Sequence, residues 1–180
     1  MRRLIFLILL ALLGGGLFVW LDSRQGPGDK VAAYVSAVAN ADERRALATW
    51  ELPTWALPND PHSAMLAERR QAVTQELLVS HIGADFTVLE TEWWDTCCEP
   101  HLARDPGQAR LARLRVQLRG QSQGDLVYVF DVARVDRVGW FPASDLLPRR
   151  WVVHDVYPAN QMPLTFRWVR TSEGSSHPLP

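Results

Sequence analysis

Residues 110–135 read RLARLRVQLRGQSQGDLVYVFDVARV, and this stretch decides the fold. In its first half Ala112, Leu114, Val116 and Leu118 fall on one side of an extended chain. Leu111, Arg113, Arg115, Gln117 and Arg119 fall on the other, the period of two that marks a half-buried strand. The segment GQSQG, 120–124, is rich in turn formers and joins that strand to a returning antiparallel partner over residues 126–135. Upstream, residues 86–94 also alternate, with bulk on both sides. Downstream, residues 151–157 (WVVHDVY) read as a closing strand that ends before Pro158.

Before these strands the period changes. Asp29 is placed to cap a helix in which Val31, Tyr34, Val35 and Val38 fall at i, i+3, i+4 and i+7, one apolar stripe. Asn40 or Asp42 restarts the pattern, which continues through Leu47 and Trp50. Residues 53–61 hold three prolines and read as a loop. Ser63 is expected to cap a second long helix running to about Val79, with Leu66, Val73 and Leu77 inward, and Gly83 to end the helical half. Helices first and antiparallel strands second define an α+β class.

The chain has 180 residues, 47% of them hydrophobic and 22% charged, which suits one well-buried domain and excludes wholesale disorder. A net charge of −1 provides no basic field, so nucleic acid is excluded as a partner. The charge is unevenly placed: Arg2 and Arg3 make the first 21 residues basic and leave the remainder mildly acidic. Residues 4–21, LIFLILLALLGGGLFVWL, are uncharged, and as a helix would run roughly 27 Å, near the hydrocarbon thickness of a bilayer. Bulky Phe18, Val19, Trp20 and Leu21 at its exit disfavour signal cleavage, which wants small residues there. Residues 1–21 therefore read as a retained transmembrane signal anchor in a cell (inner) membrane. Arg2 and Arg3 keep the N-terminus cytoplasmic, and the rest is exported as a periplasmic or extracellular domain. Residues 22–28 (DSRQGPG) read as a turn-rich linker, 29–158 as the exported domain and 159–180 as an extended tail.

Two segments carry a resemblance. VAAYVSAVANADERRALATW, 31–50, is similar to the first helix and its polar break in the nuclear-transport-factor-two-like superfamily. RRWVVHDVYP, 149–158, resembles that superfamily's last strand. The resemblance covers about residues 29–158 and implies a curved antiparallel sheet wrapped around helices, a cone whose mouth holds a ligand or meets a partner. Members include enzymes, binding modules, lipoproteins and accessory subunits. Residues 136–150 (DRVGWFPASDLLPRR) depart from it, standing where the family usually has a tight turn.

Chemistry-bearing residues concentrate in a few places. Cys97 and Cys98 are the only cysteines, and in an oxidising compartment they can close a vicinal disulfide, act as a redox switch or bridge to another chain. With His101 they fall short of the four ligands a stable metal site uses, so neither metal nor cofactor is expected. His154 and Asp155 are adjacent on a strand and so point to opposite faces. Either joins Asp131 as a candidate lining of the cone pocket. Arg113, Arg115 and Arg119 form a basic row for which Glu90 and Glu92 offer cross-strand ion pairs. Trp140 and Phe141 in the insertion, and Phe166 and Trp168 in the tail, are aromatic loop residues of the kind partner surfaces favour. Gly14, Gly15 and Gly16 form a notch in the anchor that lets another helix approach.

Taken together, these features point to a non-catalytic, membrane-anchored accessory subunit, held by the bilayer and by other membrane subunits in a larger complex. Respiratory and photosynthetic electron-transfer assemblies are complexes of that kind. The alternative is an exported small-ligand-binding protein or enzyme using the cone pocket.

Overall fold

In the computed structural model the described residues are 14–17, 20–50, 61–94, 107–120, 124–135 and 149–161. Helix α1, Pro27–Ala39, starts where Pro27 presets the helical φ and where the Gly26 N–H donates to Asp29 Oδ2 at 2.7 Å. Its stripe of Val31, Tyr34, Val35 and Val38 is buried, as the periodicity requires. The chain leaves α1 through Ala41, whose φ of 54° is left-handed. There the Ala41 N–H bonds the Val38 carbonyl and the Asp42 N–H bonds the Ala37 carbonyl, closing the helix end. Asp42 then caps α2, Glu43–Thr49, by accepting from the Arg45 N–H at 3.0 Å.

Helix α3 spans Pro61–Val79. It begins two residues before the expected Ser63 cap, because a proline fits the first helical turn, where no N–H partner is needed. Leu66, Val73 and Leu77 are buried along it. It ends through His81 in the left-handed region, φ 46°, and not at Gly83, which already lies in a strand.

Four strands follow: β1 Ile82–Trp94, β2 Leu111–Gly120, β3 Asp125–Val135 and β4 Arg150–Pro158. They form one antiparallel sheet in the order β1-β2-β3-β4. One face carries Ala112, Leu114, Val116, Phe130, Val132, Val153 and Val156 against α1 and α3. Tyr34 anchors this core, edge-on to Phe130 at 5.7 Å and to Trp50 at 6.1 Å, with its hydroxyl bonded to Thr74 at 3.0 Å. Each such large buried side chain contributes roughly 1.5–3 kcal/mol. Trp50 leaves α2 extended and bridges Val153, touching the sheet beyond β4.

Register shifts interrupt the edge strands at three places, one of them between Ile82 and Phe86, and the other two set the phase around the charged row. Leu89 is extra in β1, so Phe86 and Val88 before it share the core-face register with Thr91 and Trp93 after it. This is why residues 86–94 show bulk on both sides in the sequence. In β4, Asp155 stands opposite Asp131 while Val153 stands opposite Val132, which leaves His154 as the extra residue.

The expected linker is mostly helix. Residues 20–24 are helical and α1 begins at Pro27. Across the elbow, Lys30 Nζ donates to Asp22 Oδ1 at 2.7 Å and to Gln25 Oε1 at 2.6 Å. Among the described residues no helix is long and apolar enough to cross a membrane; residues 1–13, 18 and 19 of the apolar leader lie outside them. Gly14, Gly15 and Gly16 are helical and exposed, with open space where a side chain would stand.

Candidate functional site

The residues that carry charge into the interior meet on the face of the sheet opposite the main core. Register places Glu92, Arg113, Asp131 and Asp155 in one row across β1, β2, β3 and β4. Arg113 holds Asp131 by a two-pronged fork, Nε to Oδ1 at 2.8 Å and Nη2 to Oδ2 at 2.9 Å. Asp131 and Asp155 are both fully buried. Asp155 Oδ2 accepts from Arg69 Nη1 of α3 at 3.1 Å, a partner 86 positions away in the chain.

Aromatic rings line the same row. The Arg113 guanidinium lies 5.9 Å from the Trp94 ring centroid and that of Arg69 lies 5.7 Å from the Tyr157 ring. Burial pushes the Tyr157 phenol far above its ordinary range. The charges of Asp131 and Asp155 push the same way and Arg113 opposes them. For Arg113, burial alone would lower the pKa; the hydrogen bond and charge of Asp131 overcome this and raise it. Two arginines and two aspartates thus pair around Tyr157, with Glu92 as a further acid at the β1 end of the row. Each oxygen of Asp131 accepts one charge-assisted hydrogen bond from Arg113. The arrangement ties strands β2, β3 and β4 to α3.

The sequence pointed to Asp131, His154 and Asp155, and the structure brings the two acids together. His154 is buried at the β4 bulge. Its position there replaces the simple alternation expected of neighbours on a strand. The arginine row splits. Arg115 and Arg119 are exposed, whereas Arg113 is half-buried and turns its fork to Asp131 on β3. Glu92 stands opposite Arg113 on the other side and Glu90 opposite Arg115. A carboxylate already sealed from water is the stronger partner for a guanidinium than one at the edge.

Sequence reasoning missed Arg69, Tyr157 and Trp94. A signal existed for Arg69: it falls three residues after Leu66 and four before Val73, on the buried stripe of α3, where a cation needs a buried anion. Cys97, Cys98, Trp140, Phe141, Phe166 and Trp168 lie outside the described residues.

Two open clefts of about 300 Å³ lie elsewhere. One, at the hairpin end of the sheet, is lined by Asp85, Phe86, Thr87, Gln117, Arg119 and Asp125. The other lies between the C-terminal ends of α1 and α3, with Glu43 and His81 beside it. Neither includes Asp131, His154 or Asp155. Among the described residues no three His, Cys, Asp or Glu side chains are grouped to hold a metal ion. No protein-family model, curated protein or solved structure matches the chain.

Proposed function

We propose that this chain is a non-catalytic accessory subunit, tethered by residues 1–21 with its N-terminus in the cytoplasm and its α+β domain exported. It serves a larger membrane assembly of the respiratory or photosynthetic electron-transfer kind. The observation that carries the reading is the arginine fork on Asp131. Catalytic members of the nuclear-transport-factor-two-like superfamily place an Asp and a His within the cone as acid and base, whereas here the candidate acids Asp131 and Asp155 hold arginines. Order of elements, helices and then a four-stranded meander, supports the resemblance to that superfamily. The elbow at Lys30 supports a close tether, since only Gln25 and Gly26 stand between the leader's helical end and α1.

Full-length chain taken from membranes in mild detergent tests this. The expected result is retention in the membrane after alkaline extraction, an unprocessed leader and stoichiometric partner subunits. A mature protein beginning beyond Gly28 and recovered as a soluble monomer overturns it in favour of an exported ligand-binding protein or enzyme.

A further inference from the structure

The charge row across the sheet ends on Glu92, in β1. Among the described strands β1 lies outermost, and nothing described pairs with its free side. It is 13 residues long, yet most of residues 84–91 is exposed on both faces, with Val88 at 40% and Leu89 at 49%. Natural edges are usually short, twisted away or covered. This one is bulged at Leu89, but from Glu90 to Trp94 its register against β2 is unbroken.

The two faces of that edge differ in chemistry. Glu90 and Glu92 lie on the same face as Arg115 and Arg113, which stand opposite them on β2. Arg113 gives its fork to Asp131, so the edge keeps an excess of negative charge on this face. Thr91 and Trp93 lie on the core face, continuing the line of Phe86 and Val88. Side chains alternate with a period of two, so an added strand answers both faces only if basic and apolar residues alternate along it. Strand β2 has that composition already, with Arg113 and Arg115 interleaved with Ala112, Leu114 and Val116.

We propose that the outer edge of β1, centred on residues 90–94, is a docking strand for an extended partner segment in which basic and apolar side chains alternate. The partner is chemically a second β2. Its backbone extends the sheet, its cations complete the alternation that Glu90 and Glu92 leave open, and its apolar residues cover Val88 and Thr91. This rests on the reading of the chain as an interaction subunit and names the face that does the binding.

The probe is a fluorescein-labelled peptide of residues 111–119, LARLRVQLR, titrated with full-length protein in neutral detergent and read by anisotropy. Its control carries glutamate in place of the three arginines. Saturable binding of the arginine peptide is expected, at least tenfold tighter than the control and weakening as salt rises. The double substitution Glu90→Gln and Glu92→Gln should weaken it roughly three- to tenfold. Equal binding of both peptides to the unaltered protein, no binding of either, or binding unchanged by the double substitution overturns the proposal. These outcomes are read on the solubilised chain whatever its anchor does. Failure at the edge is therefore distinct from failure of the tethered-subunit reading, which membrane extraction decides.

Discussion

Replacing Arg113 with methionine keeps most of the aliphatic stem and removes the cation that sits on Asp131. The aspartate is fully buried and receives two hydrogen bonds from that one guanidinium, at 2.8 and 2.9 Å. Stranding a buried charge in this way costs about 3–5 kcal/mol, much of it the desolvation of the carboxylate left behind. For a chain of this length each kcal/mol moves the thermal midpoint by roughly 2–4 °C, so a fall of about 10 °C is expected. Adding Asp131→Leu should restore most of the loss, because a buried ion pair replaced by apolar groups of similar volume is often nearly neutral. The coupling between the two substitutions should exceed about 2 kcal/mol. Glu92→Gln separates the two neighbours of Arg113: it removes the edge partner only, and should cost under about 1 kcal/mol. Thermal unfolding of the detergent-solubilised protein, followed by tryptophan fluorescence, reads all four variants. The reasoning is refuted if Arg113→Met lies within about 1 kcal/mol of the parent, if the double variant is no better than the sum of the singles, or if Glu92→Gln is the most damaging change.

Other perturbations have equally definite outcomes. Tyr34 is held neutral in the core, where burial pushes its phenol up to about 12 from 10.0 while hydrogen bonding to Thr74 opposes the shift. Its stabilisation is complete below pH 10 and is lost between about pH 10 and 12, as the unfolded chain ionises first. Tyr34 alone should account for roughly 2–3 kcal/mol of the loss over that window. Tyr128 and Tyr157, also raised by burial, add to it, and the fall is seen as a dropping midpoint with phenolate absorbance appearing only on unfolding. Ala41 sits at φ 54° at the end of α1, so Ala41→Gly should relieve strain and stabilise by about 0.5–1 kcal/mol, a rise of a few degrees. His81→Gly tests the same cause at the end of α3, where φ is 46°. Lys30 is the chain's single lysine and is clasped by Asp22 and Gln25. Amine-directed acylation, mapped by peptide mass, should be slow there and speed up several-fold in Asp22→Asn; equal rates would mean the elbow is open.

Much of this architecture follows from local periodicity. The alternation from Leu111 to Arg119 specifies β2 and its two faces, and Val31, Tyr34, Val35 and Val38 specify the buried side of α1. In both cases the pattern repeats within a few residues and needs no distant partner to be meaningful. The uncharged run from residue 4 to 21 is legible for the same reason. Tertiary structure alone decided the partners and the phases. Arg113 has an acid opposite it on each neighbouring strand, and only burial differences favour Asp131 over Glu92. Arg69 reaches Asp155 across 86 positions because α3 packs beside β4. The extra residues Leu89 and His154 shift which side chains face inward, and no local rule places them. Local sequence sets what each segment prefers; the choice among equivalent neighbours is made when packing removes some of them from water.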